Sequence, residues 1–133
     1  ISYAPFVEDD PRQFFVYLSD LASHTVCLRE SGRASVLFIE DEAQAEQIFA
    51  RTRIVFQCKV TPVSDESDLW HQRMESMFEC FGELILTLRS LSDFHLFKLK
   101  PISGSFVTGF GKAYGIYGNR MDQLEHVRPK KKY

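Results

Sequence analysis

Six positions in this chain of 133 residues carry side chains from which chemistry can be argued: Ser19, His24, Arg51, Arg53, Asp93 and His126. Arg51 and Arg53 stand two apart, where a helical pattern gives way to a strand pattern. Planar guanidinium forks at that spacing could grip a phosphate or a carboxylate through paired hydrogen bonds; solvated arginines paired with Glu42 or Glu46 are the plainer alternative. Asp93 precedes Phe94-His95 at a strand entrance, where a carboxylate could hold an imidazole or a water, or close a turn. Ser19 and His24 lie about one helical turn apart and could crowd an anionic ligand at a helix start, or Ser19 caps the helix and His24 faces solvent. His126, in Glu125-His126-Val127, could ligate iron axially while a carboxylate or carbonyl fixes its other ring nitrogen, or serve no metal at all.

Other chemistries lack their residues. His24, His71, His95 and His126 form no H-E-x-x-H and no pair spaced for one helix face, and no G-x-S-x-G elbow occurs. Cys27, Cys58 and Cys80 are odd in number and far apart, without zinc-site spacing, and read as reduced, mostly buried thiols of a cytoplasmic protein.

The elements that must position these side chains follow from pattern. Ile1 to Val7 and Phe14 to Leu18 read as a hairpin around an Asp9-Asp10-Pro11 turn. Ser19 is placed to cap a helix from about Asp20 to Arg29, released by Gly32. Ala34 to Ile39 reads as a central strand. Asp41 and Gln44 have capping-box spacing ahead of a helix bearing Ala45, Ile48 and Phe49. From Arg53 to Val63 the alternation of Ile54, Phe56, Cys58 and Val60 with polar residues predicts a half-exposed strand. Leu69, Trp70, Met74, Met77, Phe78 and Phe81 form the stripe of a helix within 64–81, ended by Gly82. Two strands, Phe94 to Ile102 and Ser105 to Tyr117, are expected on either side of a turn at Pro101 and Gly104. One face of the second carries Gly109, Gly111 and Gly115, flat enough for barrel curvature, a neighbouring strand or a planar ligand.

Composition sets the frame. Hydrophobic residues are 44% and aromatics 14% of the chain, enough for burial to offset chain entropy in one domain spanning 1–133. A formal charge of -2 gives no basic field for nucleic acid, and the run Arg128-Pro129-Lys130-Lys131-Lys132 reads as a solubilising tail. No segment has the roughly 20 apolar residues of a membrane span. The chain begins at Ile1, inside strand-like sequence and without Met, so an upstream strand is expected to be missing.

Four runs carry a resemblance: Ile1-Ser2-Tyr3-Ala4-Pro5-Phe6-Val7, Phe38-Ile39-Glu40-Asp41-Glu42, Asp93-Phe94-His95-Leu96 and Phe106-Val107-Thr108-Gly109-Phe110-Gly111-Lys112-Ala113-Tyr114. With them the chain resembles the FMN-binding split-barrel superfamily, also called pyridoxamine 5'-phosphate oxidase-like, and within it the bacterial haem-utilisation branch. The resemblance implies an α+β, mainly β fold: a six-stranded antiparallel split barrel with flanking helices, forming a homodimer with the ligand near the subunit interface. It implies a haem-binding protein of iron utilisation, an oxidoreductase opening the porphyrin with O2 and an electron donor. FMN-dependent oxidation on the same fold and a non-catalytic haem carrier are the alternatives.

Residue by residue, Arg53 matches the arginine near the bound ligand, where flavoprotein relatives engage the FMN phosphate. Asp93 matches an aspartate that supports the haem site across the dimer. Two departures stand out. Relatives continue past a His-Val unit through glycines to a further histidine, whereas Glu125-His126-Val127 runs straight into Arg128-Pro129, so the iron ligand is His126 or absent. Where relatives tend to have Asn-Leu, this chain has Cys27-Leu28, which removes a polar group from the flavin phosphate position.

Overall fold

The computed structural model describes residues 1–9 and 12–128. The expected turn at Asp10-Pro11 and the basic residues 129–132 lie outside the described residues. The elements run β1 (Phe6–Asp9), β2 (Gln13–Ser19), α1 (Ser23–Ser31), β3 (Arg33–Ile39), β4 (Arg53–Pro62), α2 (Asp68–Phe81), α3 (Leu84–Arg89), β5 (Phe94–Gly109), β6 (Lys112–Tyr117) and β7 (Gln123–Val127).

The class is α+β and mainly β, but the six-stranded split barrel expected above does not form. Seven strands make one sheet in the order β1-β2-β5-β4-β3, with β6 branching from β5 and β7 pairing β6. Among the described residues β1, β3 and β7 each have a single strand neighbour, so the sheet ends in open edges instead of closing on itself. The strand count rises because a strand, β7, forms beyond Tyr117, where none was expected, and the boundary between the two strands before it also moves, since β5 does not break at Pro101 and Gly104. It runs on for 16 residues, and the turn falls later, at Gly111 with φ 69°. Gly104 is where a side chain could not fit: a Cβ there would stand 2.8 Å from the Phe56 ring. Gly115 lies opposite Glu125 of β7, so strand pairing accounts for part of the flat glycine face.

The chain divides into two compact units, residues 1–34 with 59–100, and residues 35–58 with 101–133. In the first, β1 pairs β2 and β2 pairs the first half of β5, both antiparallel. Val7, Phe15, Val63, Trp70, Met74, Met77, Ile85 and Leu96 form its core. The helix α2 reaches that core because its apolar positions repeat on one face, and Ser67 caps it by accepting the Trp70 N–H at 3.2 Å. The short helix α3 was not anticipated.

In the second unit the later half of β5 pairs β6, and β6 pairs β7. Phe56 and Cys58 of β4 are buried while Gln57 is exposed, as the alternation requires. The capping-box helix expected after Asp41 is replaced by two 3-10 turns, Glu42–Gln44 and Ile48–Ala50. Glu40 explains why: its N–H donates to the Thr52 carbonyl at 3.0 Å and its carboxylate accepts the Thr52 N–H at 2.7 Å. Those two bonds bracket 41–51 into a closed loop. β3, expected to be central, lies at a sheet end with alternate residues exposed.

Candidate functional site

Register places the first group. In the β2 and β5 ladder Ser19 stands opposite Phe94 and Leu18 opposite His95, so the end of β2 meets the entrance of β5. Ser19 Oγ donates to Asp93 Oδ2 at 2.6 Å and accepts the Leu21 N–H at 3.1 Å. The Asp20 N–H donates to the Asp93 carbonyl at 2.7 Å, and Thr25 Oγ1 donates to the Ser19 carbonyl at 2.7 Å. Ser19 is therefore not a helix cap: α1 starts after Ala22, which has no side-chain cap bond. The hydroxyl accepts a local N–H ahead of the helix and not within its first turn, while its proton goes to a long-range carboxylate.

Asp93 does not hold the neighbouring imidazole. His95 Nε2 lies 2.8 Å from Asp20 Oδ2, and Arg29 Nη1 lies 2.9 Å from Asp20 Oδ1. An ionised carboxylate only accepts, so Nε2 is the protonated nitrogen of His95. Arg29 also lies over the Phe97 ring at 5.6 Å. Asp20, Arg29 and His95 are the members of this cluster that sequence reasoning missed. An acid followed nine residues later by an arginine was the available signal, but His95 is brought in only by strand pairing. Burial, with the negative charges of Asp65 and Asp93, raises the Tyr17 hydroxyl above its usual pKa, against an opposing pull from Arg89.

His24, on α1, is half-buried and not solvated as the simpler reading had it. Its Nε2 is enclosed and has no hydrogen-bond partner among the described residues. The anion pocket imagined for Ser19 and His24 meets an electrostatic objection, because the hydroxyl faces a carboxylate.

The second unit holds Arg51, Arg53 and His126. Arg53 Nη1 donates to the Arg51 carbonyl at 3.1 Å, and Arg51 Nη1 reaches the Glu40 carbonyl at 3.4 Å. Among the described residues neither pairs with Glu42 or Glu46. A guanidinium has five N–H donors, so most of those on both arginines stay available for an anion. His126 lies in β7, opposite Tyr114 of β6, with ring centroids 5.2 Å apart. Its Nε2 donates to the Gly111 carbonyl at 2.8 Å. Among the described residues no group of three or more His, Cys, Asp and Glu could hold a bare metal ion. A metal already carried in a ring of donors would need only one further ligand, and an exposed imidazole can be that.

The class these features define is an α+β open-sheet domain in which one unit carries side-chain ion pairs and the other carries two arginines and an exposed imidazole that each bond a backbone carbonyl. No protein-family model matches the chain. Haem oxygenase HutZ of Vibrio cholerae is 42% identical over 127 residues, 96% of this chain and 72% of that protein. The crystal structure of HutZ, there described as a haem storage protein, superposes with a TM-score of 0.71 at 43% identity over 75% of this chain and 70% of that one. ChuZ of Campylobacter jejuni matches 99% of this chain and 54% of its own, with a TM-score of 0.82 and 29% identity. The chain belongs to the haem-utilisation family of HutZ and ChuZ. A pyridoxamine 5'-phosphate oxidase-related, FMN-binding protein of Nostoc punctiforme, at 11% identity and a TM-score of 0.63, shares the fold alone.

Proposed function

We propose that this chain binds haem in bacterial haem-iron utilisation and supports its oxidative opening. The observation that carries the reading is family membership at 42% identity across 96% of the chain. The donor set agrees with it: Arg51 and Arg53 have free N–H groups for the carboxylates of a porphyrin, and His126 offers an imidazole on the same unit.

When bound, haem supplies redox-active iron and the ring to be opened, with O2 and an electron donor as co-reactants. The residues of this chain hold and orient it. Arg53 and Arg51 anchor carboxylates by charge-assisted hydrogen bonds. His126 would supply an imidazole to the iron. Asp93, its carboxylate fixed by Ser19, supports the haem site across the subunit boundary of a homodimer. Exposed apolar side chains support the dimer, Phe49 at 82% and Phe110 at 71% exposure being the largest in the second unit. No helix among the described residues is long and apolar enough to cross a membrane. A cytoplasmic location is proposed from the three unpaired cysteines, of which Cys58 is buried while Cys27 and Cys80 are exposed, against the expectation of mostly buried thiols.

The printed descriptions of HutZ differ, oxygenase in one case and storage protein in the other, so turnover is the point to test. FMN is the second reading, and Ser19 argues against it: its hydroxyl is occupied by Asp93, which would repel a phosphate dianion. The test is a visible absorption titration of the purified protein with haemin beside one with FMN, followed by O2 and reductant. A saturating Soret change at one haem per subunit, then loss of that band under O2 and reductant, is expected. A Soret band that persists makes the protein a carrier, and a flavin response without a haem response overturns the proposal.

A further inference from the structure

The join between α2 and α3 carries apolar side chains that the first unit leaves uncovered. The core takes one side of each helix: Trp70, Met74 and Met77 of α2 are buried, and so is Ile85 of α3. Phe78 and Phe81, one helical turn apart, are exposed. Leu84 and Leu86, on either side of Ile85, are 60% and 51% exposed. Large apolar side chains gathered in this way within 78–86 exceed the scattered exposure of an ordinary surface.

The charge beside them has one sign. From Met74 to Leu88 no Lys, Arg or His occurs, and the carboxylates are Glu75, Glu79 and Glu83. Glu75 and Glu79 neighbour one another on α2, and Glu83 opens α3. None of the three enters an ion pair among the described residues. The flanking arginines are engaged elsewhere: Arg73 lies 3.7 Å from Asp9, and Arg89 lies over the Trp70 ring at 4.9 Å.

What can cover such a face follows from that sign. A second copy laid on it isologously would set carboxylates against carboxylates. An anionic bilayer or a nucleic acid would be repelled in the same way. We propose that the α2–α3 elbow docks a protein partner whose contact surface presents apolar side chains ringed by Lys and Arg. Burial of the apolar side chains supplies the affinity, and the carboxylates steer the encounter and select the partner. The proposal is independent of the haem reading, since no residue of the candidate haem site lies within the elbow.

A fluorescein-labelled amphipathic helical peptide of Leu and Lys, beside a Leu and Glu counterpart, titrated with the protein and read by anisotropy, tests it. The Leu/Lys peptide is expected to bind and the Leu/Glu peptide is not. Phe78→Ser/Leu84→Ser is expected to weaken binding about tenfold, with circular dichroism melts checking its fold. Glu75→Gln/Glu79→Gln is expected to weaken it about fivefold at low salt and far less at high salt. Glu42→Gln/Glu46→Gln removes the same charge from the second unit and should weaken it less than about twofold. Equal losses from the two charge pairs would be the general attraction of an acidic protein for a basic peptide, and overturn the proposal; so does a Leu/Lys peptide that does not bind. If Phe78→Ser/Leu84→Ser does not fold, the two charge pairs still decide. Sedimentation equilibrium checks the second copy: self-association of wild type that this variant loses overturns the proposal in favour of self-contact. Phosphatidylglycerol vesicles that bind wild type and not the variant overturn it in favour of a membrane surface.

Discussion

The two units of this chain use polar side chains in opposite ways. In the first, Asp93 is held by Ser19 and Asp20 by both Arg29 and His95, so carboxylates and cations satisfy one another around a core of large apolar residues. In the second, Arg51, Arg53 and His126 each donate to a backbone carbonyl and to no carboxylate among the described residues. A cation paired with a carboxylate has spent its charge; one resting on a carbonyl has not. The difference teaches that the second unit carries the donors an anionic ligand can use, and the first carries the rigidity.

The largest effect should come from the core of the first unit. Phe15 is fully buried, and Phe15→Ala is expected to cost about 3–5 kcal/mol in denaturant unfolding. A loss below about 1 kcal/mol would mean that this unit is not the rigid one.

The next effect is set by Cys58 of the second unit. Burial pushes its thiol up to about 11 from a usual 9. The unfolded chain ionises first, so it binds fewer protons than the folded chain in that window, and stability falls as pH rises from about 9 to about 11. The stabilising contribution, about 3 kcal/mol in full, is present below this window and gone above it. Tyr17, also raised, adds to the same alkaline slope. The Cys58→Ala variant should show a shallower slope than wild type in unfolding melts across this range, and an equal slope sinks the assignment.

Arg53→Ala tests the unspent charge. Haemin affinity is expected to fall roughly tenfold while unfolding stability changes by less than about 0.5 kcal/mol. The reverse pattern, stability lost and affinity kept, would move Arg53 to a structural role. The smallest effect is expected at Asp20. Its partners are partly exposed, so Asp20→Asn should lower stability by no more than about 1 kcal/mol, shrinking in high salt, with haemin titration unaffected.

Local periodicity made part of this legible. The stripe from Leu69 to Phe81 announces α2, and the alternation along 53–62 announces β4, because each pattern is set by the geometry of its own element. The failures share one cause. Ser19 looked like a cap, Asp41 like the start of a helix, and Pro101 with Gly104 like a turn, each by local preference. Asp93 claimed Ser19 from 74 positions away, Glu40 and Thr52 closed the loop after Asp41, and β5 kept partners on both sides of Pro101. The seventh strand, β7, lies beyond the last strand expected and exists by pairing with β6.

The candidate residues were nameable from their types, and the resemblance to haem-utilisation proteins pointed to Arg53 and Asp93. Their state was not readable. Composition and periodicity by themselves determined that the chain is an α+β, mainly β protein with an aromatic core, since those depend on residues near one another along the chain. Tertiary structure alone decided which charges are already paired, which remain free for a ligand, and which nitrogen of His126 is committed to Gly111. Hydrogen bonds between distant residues exist only after strand register has set their distance.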